Sequence, residues 1–165
     1  MVTSIQADIS KAECEVLVNA ANGRGYCGGL MSVKQHCKGV AESLQYETKG
    51  LIERESKKAI RSIGMKESII GLPAGSYYIT PPCGLKCKVI FHAVTMRNPG
   101  KRSSPKAVRE CLVSLKNYCI RNGYTDIALP YLGCGTGKID RDDFKFILVD
   151  VFFEDFWILK LFAIN

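Results

Sequence analysis

Residues 15–29, which read EVLVNAANGRGYCGG, constrain the fold more than any other stretch of this chain. An apolar run ends abruptly in Asn-Ala-Ala-Asn and is followed by four glycines within seven positions, and apolar residues then recur with helical period from 30 to 46. The pattern predicts a strand, a glycine loop and a helix. Because such a turn gathers backbone N–H groups at the positive end of a helix, we expect the diphosphate of a ligand to bind there.

The rest of the chain alternates strand-like and helix-like segments. Strands are predicted at residues 2–6, 15–20, 69–73, 76–80, 86–94, 126–132 and 156–164, and helices at 30–46, 51–63, 104–122 and 141–151. Ser104 followed by Pro105 indicates one helix start, Gly123 its end, and Asp140 the cap of the last helix. This alternation predicts one α/β domain over residues 1–165, with a mixed, largely parallel sheet covered on both faces.

A second glycine loop follows the strand predicted at residues 126–132. It consists of Gly133, Cys134, Gly135, Thr136 and Gly137. Ligands of parallel sheets bind beyond the carboxyl ends of the strands, and both glycine loops leave strands at that end. We therefore expect the two loops to face each other across one cleft.

The formal net charge of +7 favours an anionic partner: a nucleotide, a nucleic acid or another polyanion. The first residues are polar, without the pattern of a signal peptide, and charged residues interrupt the apolar block at 144–164, so we expect no membrane association. The eight cysteines lack a second tight pair that would complete a zinc site. We interpret them as reduced thiols of a cytoplasmic protein, of the cell or of an infected host, with no metal and no cofactor.

Two familiar nucleotide-binding motifs match the sequence only in part. The sequence GRGYCG matches the dinucleotide fingerprint between a strand and a helix, but the acidic residue about 20 positions later is missing. The sequence GCGTGK would need glycine at 132 and serine or threonine at 139 to form a P-loop, where the chain has Leu132 and Ile139.

His92 falls in an apolar run and is interpreted as a core histidine. Cys134 is interpreted as a small residue rather than a nucleophile.

Several of these elements together resemble the macro domain family of ADP-ribose-binding modules. They are Asp8-Ile9, VNAAN at 18–22, Gly28-Gly29 before a helix, GSYYIT at 75–80, VIFHAV at 89–94 and ALPYLGCG at 128–135. The resemblance implies a three-layer α/β/α sandwich. It also implies that ADP-ribose binds between the two glycine loops.

The resemblance further implies roles for individual residues. Asp8 would accept from the adenine amino group with Ile9 beside the ring, and Phe162 would lie against adenine. Gly28, Gly29 and Leu30 would line one side of the diphosphate and residues 133–137 the other. Asn22, with Asn19 in the same element, would hold the distal ribose or a water. Asn22 could instead cap the strand exit by bonding the local backbone.

Two departures from the family bear on catalysis. Hydrolytic members often carry an aspartate shortly after the first glycine run, where this chain has Leu30-Met31-Ser32. The glycohydrolase branch uses a lysine and an aspartate, at positions that match Met96 (or Arg97) and Gly137 here. The remaining residues favour binding, or water attack at a phosphate or at the distal ribose. Asn22 and His36 are the catalytic candidates, although an ordinary helix-surface histidine is the favoured interpretation of His36.

We therefore predict a monomeric ADP-ribose-binding domain that hydrolyses ADP-ribose derivatives, either ADP-ribose 1″-phosphate or ADP-ribosylated macromolecules. One alternative is a non-catalytic reader of mono- or poly-ADP-ribose. Another is an RNA-binding module that uses the basic loop at residues 97–106.

Overall fold

The computed structural model describes residues 1–163. In that part of the chain it contains six strands, six α-helices and a short 3₁₀ helix at Ile9–Lys11. The strands are β1 (Val2–Ile5), β2 (Val16–Asn22), β3 (Tyr77–Thr80), β4 (Val89–Met96), β5 (Asp126–Pro130) and β6 (Ile158–Phe162). The helices are α1 (Gly29–Lys34), α2 (Val40–Glu47), α3 (Leu51–Ile63), α4 (Met65–Ile70), α5 (Pro105–Asn122) and α6 (Arg141–Val151).

The six strands form one sheet in the order β1-β6-β5-β2-β4-β3. Every neighbouring pair is parallel except β3 and β4. The prediction of a mixed, largely parallel sheet is confirmed. The carboxyl ends of β2, β4, β5 and β6 meet at one edge, which is where a ligand site is expected in such a sheet.

Successive residues of β2 face opposite sides of the sheet, as strand geometry requires. Val16 packs into the core that contains Leu115 of α5, whereas Leu17 packs into a second core that contains Leu44 of α2 and Ile52 of α3. All five side chains are fully buried. With α5 and α6 on one face and the 3₁₀ helix, α2 and α3 on the other, the domain is the expected three-layer sandwich.

The sequence signals at the ends of α5 and α6 act as predicted. The Ser104 hydroxyl accepts a hydrogen bond from the N–H of Ala107, and Gly123 ends α5 in the left-handed conformation. The Asp140 carboxylate accepts bonds from the N–H groups of Asp142 and Asp143. No helix within residues 1–163 is long and apolar enough to cross a membrane.

Two sequence predictions of secondary structure are wrong. The helix predicted over residues 30–46 is broken between α1 and α2, because Gln35 is extended and Gly39 has φ 120° and ψ 153°, which no helix contains. Residues 69–73, predicted as a strand, instead end α4 and enter a loop. Ile69 and Ile70 are both exposed, so their β-branched character did not mark a buried strand. Ile164, predicted within the last strand, lies outside the described residues.

Candidate functional site

A cleft of about 350 Å³ opens at the carboxyl ends of the central strands. One wall is formed by residues 38–42, the loop and first turn of α2, which we call the α2 loop. The other is formed by residues 133–137, the β5–α6 loop. The end of β2, the end of β4 and Phe162 of β6 form the floor. Seven residues predicted to bind ligand lie on this lining: Asn22, Gly133, Cys134, Gly135, Thr136, Gly137 and Phe162.

Both walls carry backbone N–H groups for which residues 1–163 offer no acceptor. The first bond of α2 runs from Ser43 to the carbonyl of Gly39, so the N–H groups of Val40, Ala41 and Glu42 are left open, as at every helix start. In the β5–α6 loop, none of the described residues accepts a bond from the N–H groups at positions 135–137. The cleft thus places two sets of unpaired donors on opposite walls, which suits a ligand with several anionic oxygens.

Glycine occurs at positions 133, 135 and 137 of the β5–α6 loop, and the structural requirement for it differs between these positions. Gly133 has φ +75°, and a side chain on Gly137 would lie 2.4 Å from the Gly133 carbonyl oxygen. A side chain on Gly135 would meet nothing within 4 Å, and its φ lies outside the left-handed range. Glycine is therefore required by the loop at positions 133 and 137, whereas at position 135 the protein itself leaves room for a side chain.

Three charged side chains line the cleft. Lys38 belongs to the α2 loop, and the Arg141 guanidinium lies over the Tyr131 ring, 4.5 Å from its centroid. Glu42, half-buried in the first turn of α2, supplies a carboxylate. Lys38 and Arg141 complement an anion, while the Glu42 carboxylate lies against the backbone of Gly39.

Asn22 ends β2 and lines the cleft, but its amide holds the following turn. Its Oδ1 accepts bonds from the N–H groups of Arg24 (3.0 Å) and Tyr26 (3.2 Å), and its Nδ2 donates to the Tyr26 carbonyl at 2.8 Å. One amide hydrogen stays available to a ligand. The structure therefore shows Asn22 bonding the local turn, and its contact with a ligand stays a prediction.

Gly28, Gly29 and Leu30, which are predicted to bind the diphosphate, do not line the cleft, although Tyr26 of the same loop does. Buried Glu53 of α3 accepts bonds from the N–H groups of Cys27 (2.7 Å) and Gly29 (3.0 Å). A carboxylate of the protein thus occupies the anion position of this loop. Gly29 and Leu30 line a different depression, and the Leu30 side chain is 77% exposed.

Asn19 is also absent from the cleft lining. It lies in the middle of β2, fully buried, with its Nδ2 at 3.0 Å from Nδ1 of His92, whose Nε2 lies 2.7 Å from the Thr80 hydroxyl. His92 is fully buried, so the prediction that it is a core histidine is confirmed, and this burial lowers the pKa of His92 to about 3. Asn19 binds the core histidine because the two residues are direct partners in the register of β2 and β4.

Asp8 and His36 form a polar pair of their own, and neither belongs to the cleft lining. The Asp8 carboxylate accepts the Ser10 N–H at 2.9 Å and lies 3.0 Å from His36 Nε2, which is also 3.3 Å from the buried Ser43 hydroxyl. Burial alone would raise the pKa of Asp8, but the bonds from Ser10 and His36 hold that pKa below its ordinary value. Ile9 is fully buried and packs in the same core as Phe162.

The cysteines show no activated thiol. All eight are free, and burial raises the pKa of Cys134 to about 11. This raised pKa argues against Cys134 as a nucleophile and agrees with its interpretation as a small residue of the loop. Within residues 1–163, no group of three or more His, Cys, Asp and Glu side chains is arranged to hold a metal ion.

Several cleft residues were missed by the sequence reasoning: Tyr26, Lys38, Gly39, Val40, Glu42 and Arg141. The signal for the α2 loop was Gly39 itself, an isolated glycine inside a helical pattern, which marks a break as readily as an interior position. The denser glycine run at residues 23–29 is the stronger sequence signal for an anion-binding loop.

Comparison with known proteins agrees with this architecture. The Macro domain family matches residues 18–147, which is most of the chain. The Oceanobacillus iheyensis macrodomain with ADP superposes with a TM-score of 0.77 at 18% identity, covering 99% of this chain and 83% of that one. Thermosipho africanus DarTG in complex with ADP-ribose superposes with a TM-score of 0.70 at 17% identity, covering 98% and 41%.

A curated relative extends the comparison. The ADP-ribose glycohydrolase OARD1 of Bos taurus is 26% identical over 65 residues, which are 39% of this chain and 43% of the bovine protein. The match to the family profile, together with the sheet order and the two-walled cleft, leads to one conclusion: the chain belongs to the Macro domain family.

Proposed function

We propose that the cleft binds ADP-ribose, with the diphosphate between the α2 loop and the β5–α6 loop. The observation that carries the proposal is the pair of unpaired donor sets, at residues 40–42 and 135–137, on opposite walls of one cleft. A diphosphate presents oxygens on both sides, and Lys38 and Arg141 add positive charge. The ADP and ADP-ribose of the Oceanobacillus and Thermosipho structures support this ligand class.

The two ends of the cleft differ, and the difference orients the ligand in our proposal. Phe162 lies at one end, and its partner in the parallel register is Ile5 of β1, so Asp8 follows just beyond that end. An aromatic ring with a nearby carboxylate suits adenine. Asn22, Tyr26 and Glu42 line the other part of the cleft, which we assign to the distal ribose.

Binding is tested by titrating the protein with ADP-ribose, ADP and AMP in a calorimeter. If the two donor walls recognise the diphosphate, ADP-ribose and ADP bind at least tenfold more tightly than AMP, because AMP lacks the second phosphoryl group. Equal affinities for the three nucleotides would show that the cleft does not recognise the diphosphate.

We also propose that the domain hydrolyses an ADP-ribose derivative, with Glu42 as the general base. Glu42 follows Gly39 by three positions, so it stands in the first turn of α2, and it lines the cleft. In the phosphatase version, Glu42 takes a proton from a water that attacks phosphorus, the bond between phosphorus and the ribose oxygen breaks, and Glu42 returns the proton to that oxygen, which leaves ADP-ribose and inorganic phosphate.

The substitution Glu42→Gln separates an enzyme from a reader. It keeps the shape of the side chain but removes the base, so turnover of ADP-ribose 1″-phosphate or of an ADP-ribosylated protein should fall on the order of a hundredfold or more. Binding should stay or strengthen, since a negative charge leaves the anion site. A wild-type protein that binds ADP-ribose and turns over neither substrate is a reader.

A further inference from the structure

A shallow groove lies on the other side of the loop at residues 23–30, and it has no part in the proposed function. We call it the α3 groove. Its lining includes Gly29 and Leu30 of that loop, Gly50, the carboxylate of Glu53, and four cationic side chains, Lys49, Arg54, Lys57 and Arg61. Tyr26 of the same loop lines the cleft, and its ring lies 3.4 Å from where a Gly29 side chain would begin. The groove and the cleft therefore share one wall.

The cations form a row on one face of α3. Arg54, Lys57 and Arg61 follow at spacings of three and four residues, so they stand one above another along the helix, and all three are exposed. Lys57 pairs with Glu53 at 2.6 Å. Among the described residues, no carboxylate lies within 4.0 Å of the charged groups of Lys49, Arg54 or Arg61.

This arrangement works against the helix. Like charges three or four residues apart destabilise a helix by about 0.2–0.5 kcal/mol per pair, and Arg54–Lys57 and Lys57–Arg61 are both such pairs. Glu53 and Lys57 form one opposite-charge pair at such a spacing, whereas no acidic residue stands three or four positions from Arg54 or Arg61. Three cationic side chains on one face of α3, at a cost in helix stability, indicate a negatively charged ligand.

The dimensions and chemistry of the groove select one ligand class. Seven residues of helix separate Arg54 from Arg61, about 10 Å, which is about three steps of a nucleic-acid strand that rises 3.4 Å per nucleotide. Arginine suits phosphate because its planar guanidinium donates two parallel bonds. Leu30 is 77% exposed beside the row and offers an apolar surface to bases, which an acidic peptide would not use. Gly29 and Gly50 let a backbone approach closely.

We propose that the α3 groove is a second anion site, which holds the phosphodiester backbone of a nucleic-acid strand through Arg54, Lys57 and Arg61. Contacts to phosphates release counterions, so binding weakens linearly with the logarithm of salt concentration. The site is independent of ADP-ribose binding. It also differs from the basic loop at residues 97–106, of which Pro99 and Gly100 line the cleft.

The test measures binding of a short fluorescent single-stranded oligodeoxynucleotide of mixed sequence to the full chain over a range of salt. Arg54→Ala/Arg61→Ala should lose at least tenfold in affinity, with a salt slope shallower by about 1.4. The matched control, Lys101→Ala/Arg102→Ala, removes the same charge from the exposed basic loop and should stay within about twofold of wild type. The affinity of the groove variant for ADP-ribose should equal that of wild type.

The proposal is overturned by equal losses in the two double variants, which would indicate net charge alone, or by no loss in the groove variant. It is also overturned if free ADP-ribose displaces the oligonucleotide, because the strand would then occupy the cleft. A polyglutamate peptide that competes as well as an unlabelled oligonucleotide would show an acidic protein segment to be the ligand class.

Discussion

The Glu53 carboxylate holds the loop at residues 23–30, and its removal gives a sharp prediction of stability. In Glu53→Ala the N–H of Cys27, a residue only 2% exposed, loses its acceptor at a cost of about 1–3 kcal/mol. The N–H of Gly29 is nearer to solvent and can bond water, so its loss adds less than about 1 kcal/mol. Lys57 is half-exposed, and its pair with Glu53 contributes about 0.5 kcal/mol. The sum is about 2–4 kcal/mol.

Urea unfolding measures this loss, and Glu55→Ala is its matched control. Glu55 lies on the same helix, and among the described residues its side chain makes no hydrogen bond and no ion pair. The control should stay within about 0.5 kcal/mol of wild type. If Glu53→Ala unfolds at the same urea concentration as Glu55→Ala, Glu53 does not hold the loop, and the explanation for why Gly28 and Gly29 lie outside the cleft fails.

The same carboxylate gives a pH dependence. Burial alone would raise the pKa of Glu53, but Lys57 and the N–H groups of Cys27 and Gly29 hold that pKa below its ordinary value. A carboxyl whose pKa is lower in the folded state stabilises the protein above its unfolded pKa, about 4.3 for glutamate. This stabilisation disappears as pH falls through the folded pKa. The stability difference between wild type and Glu53→Gln should therefore be constant near neutral pH and should narrow below about pH 4.

Three further substitutions test the cleft. Asp8→Ala should weaken ADP-ribose binding by about tenfold or more in calorimetry, since a charge-assisted bond to adenine contributes roughly 1.5–3 kcal/mol; unchanged affinity would remove Asp8 from the site. His36→Ala should leave that affinity unchanged or raise it, because Asp8 is freed from its bond to His36, and a large loss would make His36 a ligand contact. Asn22→Ala should lower thermal stability by about 1–3 kcal/mol through the loss of its turn, and a variant of normal stability that lacks only turnover would restore the catalytic role.

The fold follows from the sequence wherever one local signal dominates. The caps at Ser104 and Asp140 and the apolar stripes of α5 and α6 fixed those helices, because cap chemistry and helical period point to the same boundaries. The region around α1 and α2 was misread because the apolar spacing continued across Gly39, and periodicity does not register a backbone break. Residues 69–70 were misread because β-branched side chains there are exposed rather than buried.

The sequence predicted one wall of the cleft, the β5–α6 loop, but not the other, the α2 loop. The β5–α6 loop follows directly from a strand end, so sequence position placed it correctly. On the other wall, the glycine run at residues 23–29 looked like the better anion site, and only the fold shows that Glu53, 24 residues after Gly29, already fills it. A contact between distant segments that satisfies a loop's donors leaves no local trace in the sequence.

The central claim is that ADP-ribose binds between the α2 loop and the β5–α6 loop, and calorimetry on Gly135→Val tests it most directly. The protein leaves open space at Gly135, so the substitution should keep stability within about 0.5 kcal/mol of wild type. The new side chain would project where the diphosphate must approach, and affinity for ADP-ribose should fall at least tenfold. The control, Gly29→Val, places the same side chain at φ +61° outside the cleft, so it should lose stability and keep its affinity. The account is contradicted if wild type does not bind ADP-ribose, or if Gly135→Val binds normally and Gly29→Val does not.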